Sequence, residues 1–429
     1  MYKISKLKNK ITLITVPIKG TKATTVLVMV PVGSRYEHKK ISGASHFVEH
    51  LMFKGTQKRP TAQDISRILD ASGADYNAFT SKDYTGYYVK IDSTKQAIAF
   101  DLISDMVFNS KLDADEIEKE KGVIVEELRM YEDNPTMGIG LLYEQLMFGD
   151  CPLGWDEGGS ETTVRGISRD ELWNYYQSAY KTENMVLVVS GNVDKNLKKH
   201  LQYFLSPDSQ NNKSKAVIRK NNFEKFVWPT GKKTLDERVA VKEKKLDQSH
   251  VIIGFPGIHL NHPDRYVLSV LLNILGGGMS SRLFVEVREK RGLAYMVRTG
   301  SNNFRDVGTV YVQAGLDPSR LSEAVKVIKE ELQKICDSAV SEKELKDAKS
   351  NISGRMTLGM EDCSAQAEWF AKQFWMMDKI LTYEQVLQKI KKVTAKDVQR
   401  MAKKIFAWDQ ARMAVIGNIK KDEIIKILK

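Results

Sequence analysis

The feature that most constrains this chain is a repeat. Around residue 190 it reads MVLVVSGNVDK, and near its end RMAVIGNIKK. Each is an apolar, β-branched run that enters a Gly-Asn turn, the pattern of a buried strand. The turn glycines, Gly191 and Gly417, are 226 residues apart (417 − 191). A similar helical segment precedes each strand: SRDELWNYYQSAY from Ser168 and TAKDVQRMAKKIF from Thr394. Both open on a hydroxyl residue that can cap a helix, with Asp two or three positions on. The beginnings of the two halves also correspond, TTVLVMVPVGSRYE with SHVIIGFPGIHLNH. A fold unit used twice is therefore expected, with each copy near the usual domain size of roughly 100–200 residues.

Between the copies runs SPDSQNNKSKAVIRKNNFEKFVWPTGKK, from Ser206 to Lys233. It is polar and Asn/Lys-rich, which reads as a linker, with or without one short strand. The expected division is residues 1–208, a linker over 209–240, and 241–429. Within the first half, Thr61 to Ser72 reads as a capped helix stopped by Gly73. YNAFTSKDYTGYYVKI reads as two strands, and TKQAIAFDLISDMVFNS and DADEIEKEKGVIVEELRMYED as helices. Hairpin-like strand pairs with sequential helices, and no strict β-α-β alternation, predict an α+β class. The architecture expected is two homologous α/β-sandwich domains, each an antiparallel-rich sheet packed with helices.

Composition narrows the function classes. Lys plus Arg is 66 against 54 for Asp plus Glu, a net charge of +12. The lysines are spread in mixed runs such as KKDEIIKILK and SEKELKDAKS, which read as solvated helix faces, so no nucleic-acid partner is expected. No apolar run is long enough to span a bilayer, so no membrane partner is expected. The basic start, MYKISKLKNKITLITV, reads as a first strand and lacks a small-residue cleavage site, which makes a cytoplasmic location the default. Cys151, Cys336 and Cys363 are too few and too scattered for a disulfide framework or a cysteine metal site.

The sharpest local signal is His46-Phe-Val-Glu49-His50, within SGASHFVEHLMFKGT. Ser42 or Ser45 can cap a helix there. Spacings of i, i+3 and i+4 place all three side chains on one helical face. Two neutral imidazoles one turn apart can bind a tetrahedral zinc, and a carboxylate beside them can take a proton from the attacking water. This order is the inverse of H-E-x-x-H, and it marks a class of zinc peptidases. With seven histidines in 429 residues, a chance match is on the order of one per cent. A catalytic zinc takes three protein ligands, so a third is needed from another element. In EIEKEKGVIVEELRMYED, Glu120 and Glu127 share a helix face with Val123 and Ile124 beside them. By periodicity alone, Glu126 and Glu127 serve equally as the third ligand.

With these motifs in view, the chain resembles the pitrilysin/insulinase family of inverted-motif zinc peptidases. It is most similar to the short-chain branch that includes mitochondrial processing peptidase subunits and bacterial homologues. GASHFVEHLMFKGT, EKEKGVIVEELRMYED and GGGMSSRLFVEVREKRGLAYMV carry the resemblance in order along the chain. It implies one zinc per chain, held by His46, His50 and Glu127, with Glu49 as general base. The family's ligand Glu has a second motif Glu seven residues before it. Glu127 has Glu120 there, whereas Glu126 has Lys119, so the resemblance selects Glu127 and gives Glu120 an orienting role. It implies that Arg288 and Tyr295, in REKRGLAY, stabilise the oxyanion or hold the substrate backbone. A helix end with a core tyrosine is the plain alternative. It further implies that Asn77 and Ala78 lie on a strand to which an extended peptide adds.

The segment of the second half matching HFVEH is SVLLN, Ser269 to Asn273, with no histidine or carboxylate. A second copy of the fold without a metal is expected. The resemblance implies a four-domain clam-shell chamber, of which this chain carries two domains. A homodimer, or a heterodimer with a related subunit, completes it, and peptides or unfolded polypeptides are the substrates. A non-catalytic partner subunit or scaffold is the competing reading.

Overall fold

The computed structural model describes residues 2–205, 222–231, 233–377 and 379–429. They form two compact units. The first contains a six-stranded sheet built from β1 (Lys3–Lys6), β2 (Thr12–Pro17), β3 (Ala23–Val30), β4 (Asp75–Thr80), β5 (Thr85–Asp92) and β6 (Val186–Gly191), in the order β1-β2-β6-β3-β5-β4. The second contains β7 (Val239–Glu243), β8 (Ser249–Pro256), β9 (Ala294–Asn303), β10 (Gly308–Leu316) and β11 (Arg412–Gly417), in the order β7-β11-β8-β10-β9. Apart from β1 the two orders are the same. The pairing directions agree as well: β2–β6 and β7–β11 are parallel, and every other neighbouring pair is antiparallel. The repeat is thus one topology used twice, and the two strands that revealed it, β6 and β11, occupy equivalent places. The class is α+β, as expected.

Local sequence rules explain most helix boundaries. α1 spans Ala44–Leu51, α2 Ala62–Ser72, α3 Gln96–Asn109, α4 Ala114–Asp133 and α5 Pro135–Phe148. Thr61 and Asp64 close a capping box on α2, and Gly73 ends it in the left-handed region at φ 64°. Ser168 caps the helix Arg169–Ala179 and Thr394 caps Ala395–Ile405, in both cases through a capping box. The two helices inferred from the repeat are built by the same terminal device.

The units are not contiguous in sequence. The first comprises residues 1–130, 155–224 and 358–380; the second comprises 131–154, 225–357 and 381–429. A division at 208 and 241 therefore places two helices in the other unit. α5, from the first half, belongs to the second unit, where Ile139, Tyr143, Met147 and Phe148 are buried with Ile252, Ala414 and Ile416. Tyr143 lies so close over β8 that a Cβ on Gly254 would stand 2.1 Å from its ring. The helix Cys363–Met376, from the second half, belongs to the first unit, where Ala367, Phe370 and Ala371 cover Ile14, Val16, Leu27, Met29, Val186 and Val188. The opposite face of that sheet is covered by the first unit's own helices, α1 to α4 and Arg169–Ala179. Strand β3 shows why one helix layer is insufficient: seven of its eight residues are buried, so both faces must be covered.

Residues 209–221 and Lys232 of the expected linker lie outside the described residues. The rest of the linker is anchored by its aromatic residues. Phe223 lies under the Arg35 guanidinium at 3.9 Å in the first unit, and Phe226 and Trp228 pack on Phe148 in the second. The linker region expected to end at 240 also contains the start of β7. All three cysteines are free.

If the helix Cys363–Met376 closes the first unit, Phe370→Ala removes a buried ring from that face and costs about 3–5 kcal/mol in denaturant unfolding. Residues 1–208 produced alone should expose the bare sheet face and bind a hydrophobic dye. A soluble fragment that does not bind dye would contradict this assignment.

Candidate metal centre

α1 carries the HxxEH motif, and its N-terminus is held in a way the sequence did not reveal. Its N-cap is Gly43, at φ 97°, and neither Ser42 nor Ser45 caps it. The acceptor is the carboxylate of Glu37, upstream in the loop. It takes hydrogen bonds from the Gly43 N–H (2.7 Å), the Ser45 N–H (2.6 Å) and the Ser45 hydroxyl (2.6 Å). The Tyr175 hydroxyl completes the network at 2.6 Å from Ser45. A carboxylate at a helix N-terminus is favoured by the free N–H groups and the helix dipole. Burial works against it and raises the Glu37 pKa to about 7.

One turn on, His46, His50 and Glu127 converge, and they are the one group of possible metal donors among the described residues. The His46 and His50 Nε2 atoms are 3.2 Å apart. Glu127 Oε2 is 3.4 Å from His50 Nε2 and 3.7 Å from His46 Nε2. A tetrahedron with arms of about 2.0–2.1 Å has edges of about 3.3 Å, so the donor triangle has the dimensions of a zinc site. Glu126 points elsewhere, to Arg129 at 2.7 Å. On α4, Ile124 is buried but Val123 is half-exposed, so the apolar stripe is narrower than periodicity suggests.

Glu120 is buried and bridges His50 and Lys54. Its Oε1 lies 2.8 Å from His50 Nδ1, and its Oε2 lies 2.6 Å from the Lys54 ammonium. Holding Nδ1 leaves Nε2 of His50 turned toward His46 and Glu127. Burial disfavours charge on His50, but hydrogen bonds to Glu120 and Glu127 outweigh it and hold its pKa up at about 9. Burial and the neighbouring His50 push His46 down to about 4. The same carboxylates that favour a proton on His50 favour a metal cation in that place.

Glu49 sits beside the triangle, and its pKa is raised by burial, opposed by a hydrogen bond from the Thr80 hydroxyl. Thr80 ends β4, the edge strand on which Asn77 and Ala78 lie, opposite Tyr88 and Tyr87 of β5. The Ala78 N–H is taken by the Asn77 side chain at 2.9 Å. Neither Lys54 nor Thr80 was found as a site residue from sequence. Lys54 lies three residues beyond the end of α1, so helix spacing from His50 gave no signal for it, and its ion pair with Glu120 is a tertiary contact.

Arg288 and Tyr295 belong to the second unit, while the His/Glu cluster belongs to the first. Arg288 lies on a π-helical turn, Phe284–Glu289, with its guanidinium 5.1 Å from the Tyr295 ring. Tyr295 is 74% exposed, so it is not a core tyrosine. Ser269 to Asn273 fall in the helix Arg265–Gly276, which follows β8 as α1 follows β3.

Comparison with known proteins places this geometry in context. A family model described as "Insulinase (Peptidase family M16)" matches residues 13–148, and one described as "Peptidase M16 inactive domain" matches residues 166–352. An "uncharacterized zinc protease" of Streptomyces coelicolor is 33% identical over 417 residues, covering 97% of this chain and 89% of that protein. Another, of Bacillus subtilis, is 33% identical over 390 residues, covering 91% and 92%. Among solved structures, a protease from Helicobacter pylori superposes with a TM-score of 0.83 at 24% identity, covering 97% of this chain and 99% of that one. An M16 inactive domain from Pseudomonas fluorescens gives 0.86 at 18%, covering 98% of each. The two structures share the fold.

Glu37→Ala should destabilise the protein by about 2–4 kcal/mol, since buried N–H groups lose their acceptor. The folded pKa of Glu37, about 7, lies above the ordinary value of 4.5. Its contribution is therefore fully present below about pH 4.5 and is lost as pH rises through about 7. Denaturant unfolding at pH 5 and pH 8 should show a larger gap between wild type and variant at pH 5; an equal gap would count against a buried, protonatable cap.

Proposed function

Because the chain belongs to the insulinase family, peptidase family M16, we propose that it is a zinc-dependent endopeptidase acting on peptides or unfolded polypeptides. The observation that carries this reading is the donor triangle of His46, His50 and Glu127, with Glu49 beside it. One zinc per chain fits those atoms. Bound there, it supplies a Lewis acid that polarises the scissile carbonyl and makes water more acidic.

The chain's own residues do the rest. Glu49, with its raised pKa, accepts a proton from the attacking water and can return it to the leaving amine. Glu120 fixes the orientation of His50, and Lys54 holds Glu120. The edge of β4, at Asn77 and Ala78, offers main-chain groups to an extended substrate, a mode tolerant of sequence. Binding there would displace the Asn77 side chain from the Ala78 N–H.

Arg288 and Tyr295 stabilise the oxyanion or the substrate backbone in this reading, and they act in trans. Two copies of the chain form a closed chamber, with each second unit serving its partner's zinc; a related subunit can replace one copy. The second reading, a non-catalytic partner or scaffold, is favoured by the inactive-domain match over residues 166–352. That match falls mainly on the half without a metal motif, and the motif residues of the first half are intact, which favours the catalytic reading.

Cleavage of a quenched peptide should be abolished by a chelator and restored by zinc. Glu49→Gln should lower kcat by about 10²–10⁴. Absence of chelator-sensitive cleavage would favour the scaffold. Mixing Glu49→Gln chains with Arg288→Ala chains should recover part of the activity, and no recovery would count against action in trans.

A further inference from the structure

If Glu49 accepts the proton, as proposed above, one of its oxygens must be free and correctly aimed. Thr80 donates its hydroxyl to Oε2 of Glu49, which leaves Oε1 for that role. The two residues come from different elements, Glu49 from α1 and Thr80 from the last position of edge strand β4.

Thr80 is held by an anchored hairpin tip. Opposite it in register is Thr85, whose hydroxyl donates to the Val32 carbonyl at 3.0 Å. Next along the chain, the Ser81 N–H donates to the Tyr84 carbonyl at 2.8 Å. The Ser34 and Arg35 N–H groups donate to the carbonyls of Ser81 and Lys82, at 3.2 and 2.9 Å. Gly33 permits this approach, since a Cβ there would stand 1.9 Å from the Ser81 oxygen. Lys82 and Asp83 are buried, and the Lys82 ammonium donates to the Trp155 carbonyl. Three main-chain bonds, the Thr85 hydroxyl and a buried cation thus fix the segment that presents the Thr80 hydroxyl.

We propose that Thr80 is a positioning residue: its hydroxyl selects the Glu49 oxygen that accepts the proton and locks the metal-binding helix to the strand that receives the peptide. A carboxylate held at one oxygen by a rigid donor loses rotational freedom about its last torsion. Proton transfer depends on geometry within a few tenths of an ångström, so loss of that donor acts on turnover before binding.

Thr80→Val removes the hydroxyl and keeps the branched shape. Turnover of a quenched peptide should fall about 10- to 100-fold while KM stays within about twofold. Zinc affinity, measured by chelator competition, should stay within about twofold, because the donor triangle does not include Thr80. Affinity for a peptide hydroxamate, whose hydroxyl must meet Glu49, should fall about tenfold. Thr80→Ser should restore both turnover and hydroxamate affinity. Unchanged turnover and hydroxamate affinity in Thr80→Val would overturn the proposal. So would unfolding or loss of zinc in that variant, which would mark a structural role, or failure of Thr80→Ser to restore what valine removes. A wild-type chain without chelator-sensitive cleavage removes the role of Glu49 itself and the proposal with it; that failure is seen before any variant is made.

Discussion

An eight-residue helix cannot hold a metal unaided. Isolated helices of that length are marginal in water, because nucleation fixes several residues for few hydrogen bonds. α1 has that length, and everything proposed for this protein depends on keeping it in place. Three carboxylates and their partners do so. Glu37 holds its first N–H groups, Glu120 holds His50 by the nitrogen facing away from His46 and Glu127, and Thr80 holds Glu49. Each contact reaches α1 from a different part of the chain. The local geometry of the donors is thus a property of the whole first unit.

That unit in turn depends on residues far away in sequence. Its sheet is buried on both faces, and one face is closed by the helix Cys363–Met376 from the other half. The reciprocal placement of α5 in the second unit makes neither half of the sequence a complete folding unit. Duplication explains the matching strand orders of the two sheets, and each unit takes one helix from the other half of the sequence.

The sequence exposed what local rules govern. Helix ends set by Thr61, Gly73, Ser168 and Thr394 could be read because a cap is decided within three or four residues. The equivalence of β6 and β11 was legible because buried strands carry dense apolar runs. His46, Glu49 and His50 were found because one helix turn brings them together. Glu127 was different: periodicity left it level with Glu126, and only the family resemblance chose between them. The helix exchange was invisible, since an amphipathic segment does not say which sheet it covers. Glu37, Lys54 and Thr80 were missed for the same reason, as their roles come from tertiary contacts. The serines of the motif, by contrast, looked like caps, but Ser45 lies inside the helix as a donor to Glu37.

The central claim is that His46, His50 and Glu127 hold one catalytic zinc. Metal content of the purified chain, compared across substitutions, tests it most directly. The account predicts one zinc per chain in the wild type, the same content in Glu49→Gln, and loss of zinc in folded His50→Ala and Glu127→Ala. Full retention of zinc in either of the last two would contradict it.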